Sequence, residues 1–216
     1  MIGLIRVLTL EDPELLNRHG RLLEARYGLP VESRCIPDQP RGIYDEATEA
    51  AAVPKIVETA RQLEAGGARA IFISCAADPA LEEVREAVSV PVVGAGSAGA
   101  ALALALGGRI GLLSITEAVP GAIERILGPR VVALERPTGV TDATHLLEPG
   151  AVERSLEAAR RLVQQGAGTI LLACTGFANL SMATRIQADL GVPAVDPVWA
   201  GGLMLSYVLK EESRCG

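Results

Sequence analysis

Two cysteines stand at matching places in two similar stretches of this sequence. Cys75 follows the apolar run IFIS in IFISCAADPAL, and Cys174 follows ILLA in ILLACTGFANL. Each apolar run predicts a buried strand, so each thiol is expected where a strand ends and a helix begins. Backbone N–H groups and the helix dipole at such a place can lower the pKa of a thiol. The small residues that follow each cysteine leave room for a ligand.

The two cysteines belong to an internal repeat. The stretch ETARQLEAGGARAIFISCAADPAL aligns without gaps with EAARRLVQQGAGTILLACTGFANL, at a constant offset of 99 residues (174 minus 75). The identities exceed what shared helix and strand composition usually gives, and SVPVVG and IGLIRV also have counterparts in GVPAVD and IGLLSI. We interpret the repeat as a duplicated unit that folds into two similar lobes.

A matched pair of thiols on opposite sides of a cleft fits the inversion of a carbon stereocentre. One group removes a proton from one face and the other returns a proton to the opposite face, and the reverse reaction exchanges the two roles. Such a pair would titrate as a coupled unit. A single cysteine after a strand is usually a core residue. We keep that interpretation for Cys35, whereas Cys215 is expected to be an exposed thiol.

The rest of the chain predicts the elements that would position these thiols. Short apolar runs alternate with amphipathic helical patterns, as in parallel sheets covered by helices on both faces. The candidate strands are residues 3–8, 30–36, 68–74, 90–95, 109–115, 130–135, 167–173 and 192–196. We predict an α/β fold with two pseudo-symmetric lobes, residues 1–96 and 97–196, and the active site in the cleft between them. A helix over 197–216 is expected to return to the first lobe.

Composition and charge narrow the classes of function. The 216 residues carry a net charge of -6, and no basic stripe with interleaved aromatic residues is visible, which argues against a nucleic-acid partner. No apolar run approaches the roughly 20 residues of a membrane span, and the first residues lack the pattern of a signal peptide. We therefore expect a cytoplasmic protein that acts on a small molecule, without a membrane partner.

Metal and pyridoxal chemistry have little support in the sequence. The four cysteines form no CxxC pair, and His19 and His145 stand alone, so no metal site is predicted. Lys55 lies in a predicted helix, far along the chain from either repeated cysteine. Neither kind of cofactor is therefore expected.

Four segments carry a resemblance to a known family. SCAADPAL is similar to the Cys-Phe-Gly-Asp-Pro stretch of hydantoin racemases, ACTGFANL is similar to their Cys-Ala-Gly-Met segment, and GIYDEA and PVVGAGSAGAALA add looser support. On these residues, essentially the whole chain resembles the aspartate/glutamate/hydantoin racemase superfamily. The resemblance implies racemisation next to a carbonyl without a cofactor, with Cys75 and Cys174 as the acid/base pair. We also expect a homo-oligomer.

The resemblance implies further site residues and leaves the substrate open. Thr175 and Gly176 would help to bind a carbonyl or carboxylate, and the remaining candidates for substrate contact are Ala76, Ser97 and Thr116. Aspartate and glutamate racemases carry Asn-Thr where this chain has Ala76 and Ala77, which favours a less charged, hydantoin-like ligand. LTLEDPELL, however, lacks the Asn-Pro-Asn motif of hydantoin racemases.

Other functions stay open at this point. An aspartate/glutamate racemase, a relative of the maleate isomerases or arylmalonate decarboxylases, and a non-catalytic two-lobed binder are all compatible with the pattern. GAGSAG at residues 94–99 also matches the dinucleotide-binding fingerprint, with Glu117 at a suitable distance for a ribose contact. Asp78 and Glu117 are interpreted as capping or solvated groups, and a contact with the substrate is left open for both.

Overall fold

The chain folds into two parallel sheets of four strands each, and the strands follow the same order in both. A computed structural model describes the backbone of residues 1–212 and the side chains of residues 1–209. The first sheet has the order β2-β1-β3-β4 and the second the order β6-β5-β7-β8. The strands are β1 Ile2–Arg6, β2 Val31–Cys35, β3 Ala70–Ser74, β4 Val92–Gly94, β5 Ile110–Leu113, β6 Val131–Glu135, β7 Thr169–Leu172 and β8 Ala194–Val195. The predicted two-lobe α/β fold is confirmed, and Cys215 lies outside the described residues.

Eight α-helices among the described residues cover the sheets. They are α1 Pro13–Tyr27, α2 Glu46–Ala65, α3 Leu81–Ala87, α4 Ala95–Leu106, α5 Gly121–Leu127, α6 Ala151–Gln164, α7 Met182–Leu190 and α8 Pro197–Glu212. Short 3₁₀ helices span Gly128–Arg130, Ala143–Leu147 and Thr175–Leu180. Helix α2 begins with a capping box, in which Asp45 and Thr48 satisfy each other's backbone N–H groups.

Side chains alternate between the two faces of a sheet along each strand, and this alternation determines the face on which each cysteine lies. In the first sheet Ile71 and Ile73 pack under α2, and Cys75, two residues further along, packs against the same cluster. In the second sheet Leu172 and Cys174 share one cluster with the buried face of α6. Equivalent positions of the repeat therefore place the two thiols on equivalent faces of the two sheets.

Helices α4 and α8 lie between the two halves of the molecule. Helix α8 packs against α1, α4, β3 and β4, and α4 contacts both β4 and β7. Close approach of α8 to the first sheet needs a residue without a side chain, because a Cβ at Gly201 would overlap the ring of Phe72. The boundary between residues 96 and 97 falls inside α4, and the assignment of α4 to either lobe stays a prediction.

None of the helices within residues 1–212 combines the length and the apolar character that a bilayer-spanning segment requires. The cytoplasmic location and the homo-oligomer that we expect from the sequence stay predictions.

Candidate active site

The two repeated cysteines line one cavity of about 610 Å³. The carboxyl ends of β1 and β3 form one wall and the carboxyl ends of β5 and β7 form the other, which is the edge where parallel α/β sheets bind ligands. The first half of the chain contributes Val7, Leu8, Ile43, Tyr44, Cys75 and Ala76, among others. The second half contributes Ile115, Thr116, Val119, Cys174, Thr175 and Gly176, among others.

The backbone holds the two sulfurs in the same way. The N–H of Gly176 donates a hydrogen bond to Cys174 Sγ at 3.4 Å. The N–H of Ala77 faces the sulfur of Cys75 and lowers its pKa in part. In both loops the donor is the second residue after the cysteine, so the pseudo-symmetry of the lobes extends to the surroundings of the thiols.

Burial nevertheless dominates the ionisation of both thiols. Desolvation raises the pKa of Cys75 to about 12 and that of Cys174 to about 11, because a thiolate loses its hydration inside the protein. The backbone N–H groups offset only part of this effect. The sequence-based expectation of lowered thiol pKa values is therefore wrong for the ligand-free chain.

A hydrogen bond between the lobes joins the two cysteine loops. Thr175 Oγ1 donates to the carbonyl oxygen of Ser74 at 3.1 Å, and both residues are buried. Ser74 immediately precedes Cys75, and Thr175 immediately follows Cys174. The side chain of Ser74 also forms a 2.8 Å hydrogen bond with Nδ1 of the fully buried His19 on α1. The relative position of the two thiols is thus fixed by a direct link between their neighbours.

Asp78 anchors the loop after Cys75 to the start of α4. Its two carboxylate oxygens accept hydrogen bonds from the N–H groups of Gly96 at 2.6 Å and Ser97 at 2.7 Å. Burial raises the pKa of this carboxyl group, and the two backbone donors offset the increase in part. The corresponding carboxylate of the second lobe comes from Asp196, whose Oδ1 accepts from Val198 N at 2.8 Å at the start of α8.

This arrangement explains the glycines of GAGSAG without a dinucleotide. A Cβ at Gly94 would overlap the carboxyl group of Asp78, and a Cβ at Gly96 would overlap the carbonyl oxygen of Ala76. In a dinucleotide site the N–H groups at this helix start face a pyrophosphate. Here the Asp78 carboxylate already accepts from them, so the geometry favours an internal anchor over the oxidoreductase interpretation.

We expect Asp78→Asn to lower the free energy of unfolding by about 1–3 kcal/mol. An amide has one acceptor oxygen, so its NH₂ group would face one of the two N–H donors and leave that donor unpaired. Urea unfolding monitored by circular dichroism would measure the loss.

The matched control is Asp12→Asn at the exposed start of α1. Asp12 accepts there from Glu14 N through a single oxygen, which asparagine also offers, so stability should change little. Equal effects of the two substitutions would contradict the anchoring role of Asp78.

The structure brings most of the predicted site residues together. Ala76, Thr116, Thr175 and Gly176 line the cavity with both cysteines. Ser97 is not among the lining residues, and its hydroxyl donates to the carbonyl oxygen of Gly94 at 3.3 Å while its N–H binds Asp78. Glu117 is exposed, lies outside the cavity and forms an ion pair with Arg136.

Several residues of the site were not predicted from the sequence. Arg6, Glu49 and Asn179 line the cavity, and His19 lies directly behind it. Arg6 gave a recognisable signal, because the alignment of IGLIRV with IGLLSI sets this charged residue against Ser114 of the second half. A charge that breaks an otherwise apolar repeat at the end of a strand indicates a specific role.

The donor groups of the site do not suggest a metal centre. No group of three or more His, Cys, Asp or Glu side chains with suitable spacing for a metal ion occurs in the part of the chain that the structure describes. Lys55 lies on α2, where its Nζ donates to the carbonyl oxygen of Asp38 at 3.0 Å.

Comparisons with known proteins identify the family of this chain. The family model described as Asp/Glu/Hydantoin racemase matches residues 16–204. A hydantoin racemase of Pseudomonas sp. (strain NS671) is 30% identical over 177 residues, which cover 79% of this chain and 69% of the relative. A hydantoin racemase of Rhizobium meliloti is 28% identical over 180 residues, 80% of this chain and 73% of the relative.

Solved structures show the same fold. An allantoin racemase from Klebsiella pneumoniae superimposes with a TM-score of 0.86 and 24% identity, covering 98% of this chain and 88% of that protein. A glutamate racemase from Thermus thermophilus superimposes with a TM-score of 0.70 and 23% identity, covering 98% of this chain and 81% of that protein. The two-lobe architecture is therefore shared across this group.

Proposed function

Because the chain belongs to the Asp/Glu/hydantoin racemase family, we propose that it racemises a five-membered cyclic ureide of the hydantoin type, with Cys75 and Cys174 as its two acid/base groups. The observation that carries the proposal is that two thiols at equivalent positions of the two lobes line one cavity. Stereochemical inversion by two bases needs groups on opposite faces of the substrate, and a pseudo-symmetric cleft supplies them.

The chemical step needs only these two thiols and the substrate. The thiolate of one cysteine takes the proton from the carbon next to the carbonyl, and the C–H electron pair moves into the ring as an enolate. The thiol of the other cysteine then donates its proton to the opposite face, which leaves that cysteine as the thiolate. The total number of protons is unchanged, and the reverse reaction starts from the product state.

Charges around the cavity favour a neutral ring over an acidic amino acid. Two arginines line the cavity, Arg6 and Arg125, against six carboxylate residues, Asp45, Glu46, Glu49, Asp78, Glu82 and Glu83. A substrate with one or two carboxylates would meet net repulsion, whereas a ureide ring has hydrogen-bonding groups and no full charge. This balance supports the same substrate class as Ala76 and Ala77, which offer no side-chain polar groups beside Cys75.

The apolar wall of the cavity supports a substituted ring. The first half of the chain lines the cavity with several large apolar side chains, among them Leu8, Leu10, Leu15, Ile43 and Tyr44. Burial of apolar substituent area is worth about 25 cal/mol per Å². We therefore expect ring substrates with aliphatic or aromatic side groups to bind more tightly than the unsubstituted ring.

The proposal is tested with single enantiomers in heavy water. Purified protein is incubated with enantiopure substituted hydantoins, allantoin, aspartate and glutamate, and optical rotation and deuterium incorporation are followed against a protein-free control. We expect fast loss of rotation with deuterium at the chiral carbon for at least one ureide, and none for the amino acids. Turnover of aspartate or glutamate alone would overturn the substrate assignment, and no exchange with any candidate would overturn the racemase proposal.

The pH dependence follows from the raised thiol pKa values. A cysteine acts as a base only as the thiolate, and with pKa values of about 11 and about 12 the thiolate is a small fraction at neutral pH. We expect kcat/KM to rise about tenfold per pH unit between about pH 6.5 and about pH 8.5, because the thiolate fraction rises in that way.

Initial rates over this range would measure the slope after subtraction of the uncatalysed racemisation. A flat profile would mean that the base is already ionised at neutral pH and would contradict the buried, protonated thiols.

A further inference from the structure

Arg6 is a buried cation that forms no ion pair with a carboxylate among the described side chains. It is the last residue of β1, pairs in register with Ser74 of β3 and Cys35 of β2, and is only 4% exposed. Its Nη1 donates to the carbonyl oxygens of Leu15 at 2.8 Å and Leu16 at 3.4 Å, while Nε is buried without a hydrogen-bond partner. Yet the side chain also lines the substrate cavity.

Such a guanidinium needs a negative charge nearby, because the burial of an unpaired charge is costly. Within the described residues, no Asp or Glu forms an ion pair with Arg6. The acidic groups that act on Arg6 are the thiols of Cys174 and Cys35, and burial lowers the pKa of Arg6 itself to about 10. His19, on α1, is close enough to interact with Arg6. Its imidazole adds no charge, because burial keeps the pKa of His19 well below the usual range.

The two repeated thiols therefore have unlike electrostatic surroundings. Arg6 acts on Cys174 and favours its thiolate. Cys75 has no corresponding cation, because its neighbouring charges are Asp78, Glu49 and the thiol of Cys174, all of which disfavour its thiolate. The repeat explains the difference, since the second-lobe position equivalent to Arg6 is Ser114, which forms a 3.1 Å hydrogen bond with Thr116.

We propose that Arg6 is a positioning residue that makes Cys174 ionise before Cys75, so that Cys174 is the base and Cys75 the acid in the ligand-free enzyme. The inference rests on the proposed two-cysteine function. The ligand-free enzyme would therefore favour the form with a Cys174 thiolate and a Cys75 thiol. This form is ready to deprotonate the enantiomer whose C–H bond faces Cys174. The opposite enantiomer requires a form in which the proton has moved from Cys75 to Cys174.

Alkylation of the substrate-free protein directly tests the order in which the two thiols ionise. Full-length protein is treated with iodoacetamide from about pH 8 to about pH 10.5, and the rate at each cysteine is read by peptide mass spectrometry, because only the thiolate reacts. We expect the rate at Cys174 to fall below a rise of about tenfold per pH unit near the top of this range, while the rate at Cys75 still rises about tenfold per unit. The shape of each profile, unlike the absolute rate, does not depend on how accessible each sulfur is.

Variants of Arg6 test whether this residue causes the earlier ionisation of Cys174. Arg6→Gln should slow alkylation of Cys174 about tenfold at fixed pH and leave Cys75 nearly unchanged, since loss of a nearby cation shifts a thiol by about one pKa unit or more. Arg6→Lys should restore most of the rate, and circular dichroism would establish that both variants fold. Arg21→Gln, which removes an exposed cation of α1 that pairs with Glu14, is the matched control.

Two results would overturn the proposal. One is an unchanged Cys174 profile in folded Arg6→Gln, and the other is a Cys75 profile that departs from the rise of about tenfold per pH unit before that of Cys174 in the unmodified protein. Neither measurement uses a substrate, so the failure of this proposal is distinguishable from a failure of the racemase proposal, which would instead show no exchange with any ureide.

Discussion

Cys75→Ser and Cys174→Ser should each reduce racemisation at least about 10³-fold while retaining proton exchange with one enantiomer. Serine is too weak an acid to form an alkoxide in this cavity, so each variant loses the acid/base group on one face and keeps the thiol on the other. With Cys174 alone, the enantiomer whose C–H bond faces Cys174 still exchanges with heavy water. With Cys75 alone, the opposite enantiomer does.

The measurement combines loss of optical rotation with mass-spectrometric deuterium content for each enantiomer separately. Cys35→Ser is the matched control, because Cys35 is a partly buried thiol of the same lobe whose sulfur contacts the carbonyl oxygen of Leu10. That variant should retain racemisation. Full activity in either active-site variant, or exchange of both enantiomers by one variant, would exclude the two-base mechanism.

Gly96→Ala should lower the free energy of unfolding by at least about 3 kcal/mol and abolish activity at temperatures where the variant still folds. A Cβ at this position would overlap the carbonyl oxygen of Ala76, which is backbone and cannot turn aside as a flexible side chain would. The loop after Cys75 would have to move away from α4, and Asp78 would lose its hydrogen bond from Gly96.

Chemical unfolding and the racemase assay together would measure these effects. Gly168→Ala is the matched control, because Gly168 is exposed and the nearest atom to a new Cβ is the carbonyl oxygen of Arg109 at 3.9 Å, an ordinary contact. A stability change in Gly96→Ala no larger than that of the control would contradict the packing of the cysteine loop on α4.

Much of the fold could be predicted because its signals are local and repeated. The apolar runs before Cys75 and Cys174 are strands in the structure, and the other six candidate ranges also overlap strands. The repeat also indicated that the two halves fold alike. In the structure both sheets have the same strand order, and both cysteines lie at equivalent sheet edges. The side-chain period of two along a strand was sufficient to place each thiol on its face.

The electrostatics of the site could not be predicted in the same way. The pKa values of the thiols depend on how completely the two lobes exclude water from the sulfurs, which is a property of the assembled cavity. Arg6 interrupts an apolar strand in the sequence, and its interaction with Cys174 depends on how the two lobes assemble.

The role of Asp78 was hidden for a further reason. Its carboxylate reaches α4 from 18 positions earlier in the chain, through a backbone conformation with φ of 53°, which non-glycine residues rarely adopt. Ser97 was predicted to contact the substrate from a turn that faces the cleft. Its N–H and hydroxyl are instead used within the protein.

The placement of the helix-capping carboxylates has a consequence for how the two halves could diverge after duplication. In the first half the acid is Asp78 and position 94 is a glycine. In the second half Phe177 aligns with Asp78, and the acid Asp196 aligns with Gly94. In the first half a side chain at position 94 would overlap Asp78, and in each half the single carboxylate accepts from N–H groups at the helix start. The two positions are therefore coupled, because one of them supplies the carboxylate and the other must leave room for it, and a chimera that mixes them within the first half should be less stable than the unmodified chain.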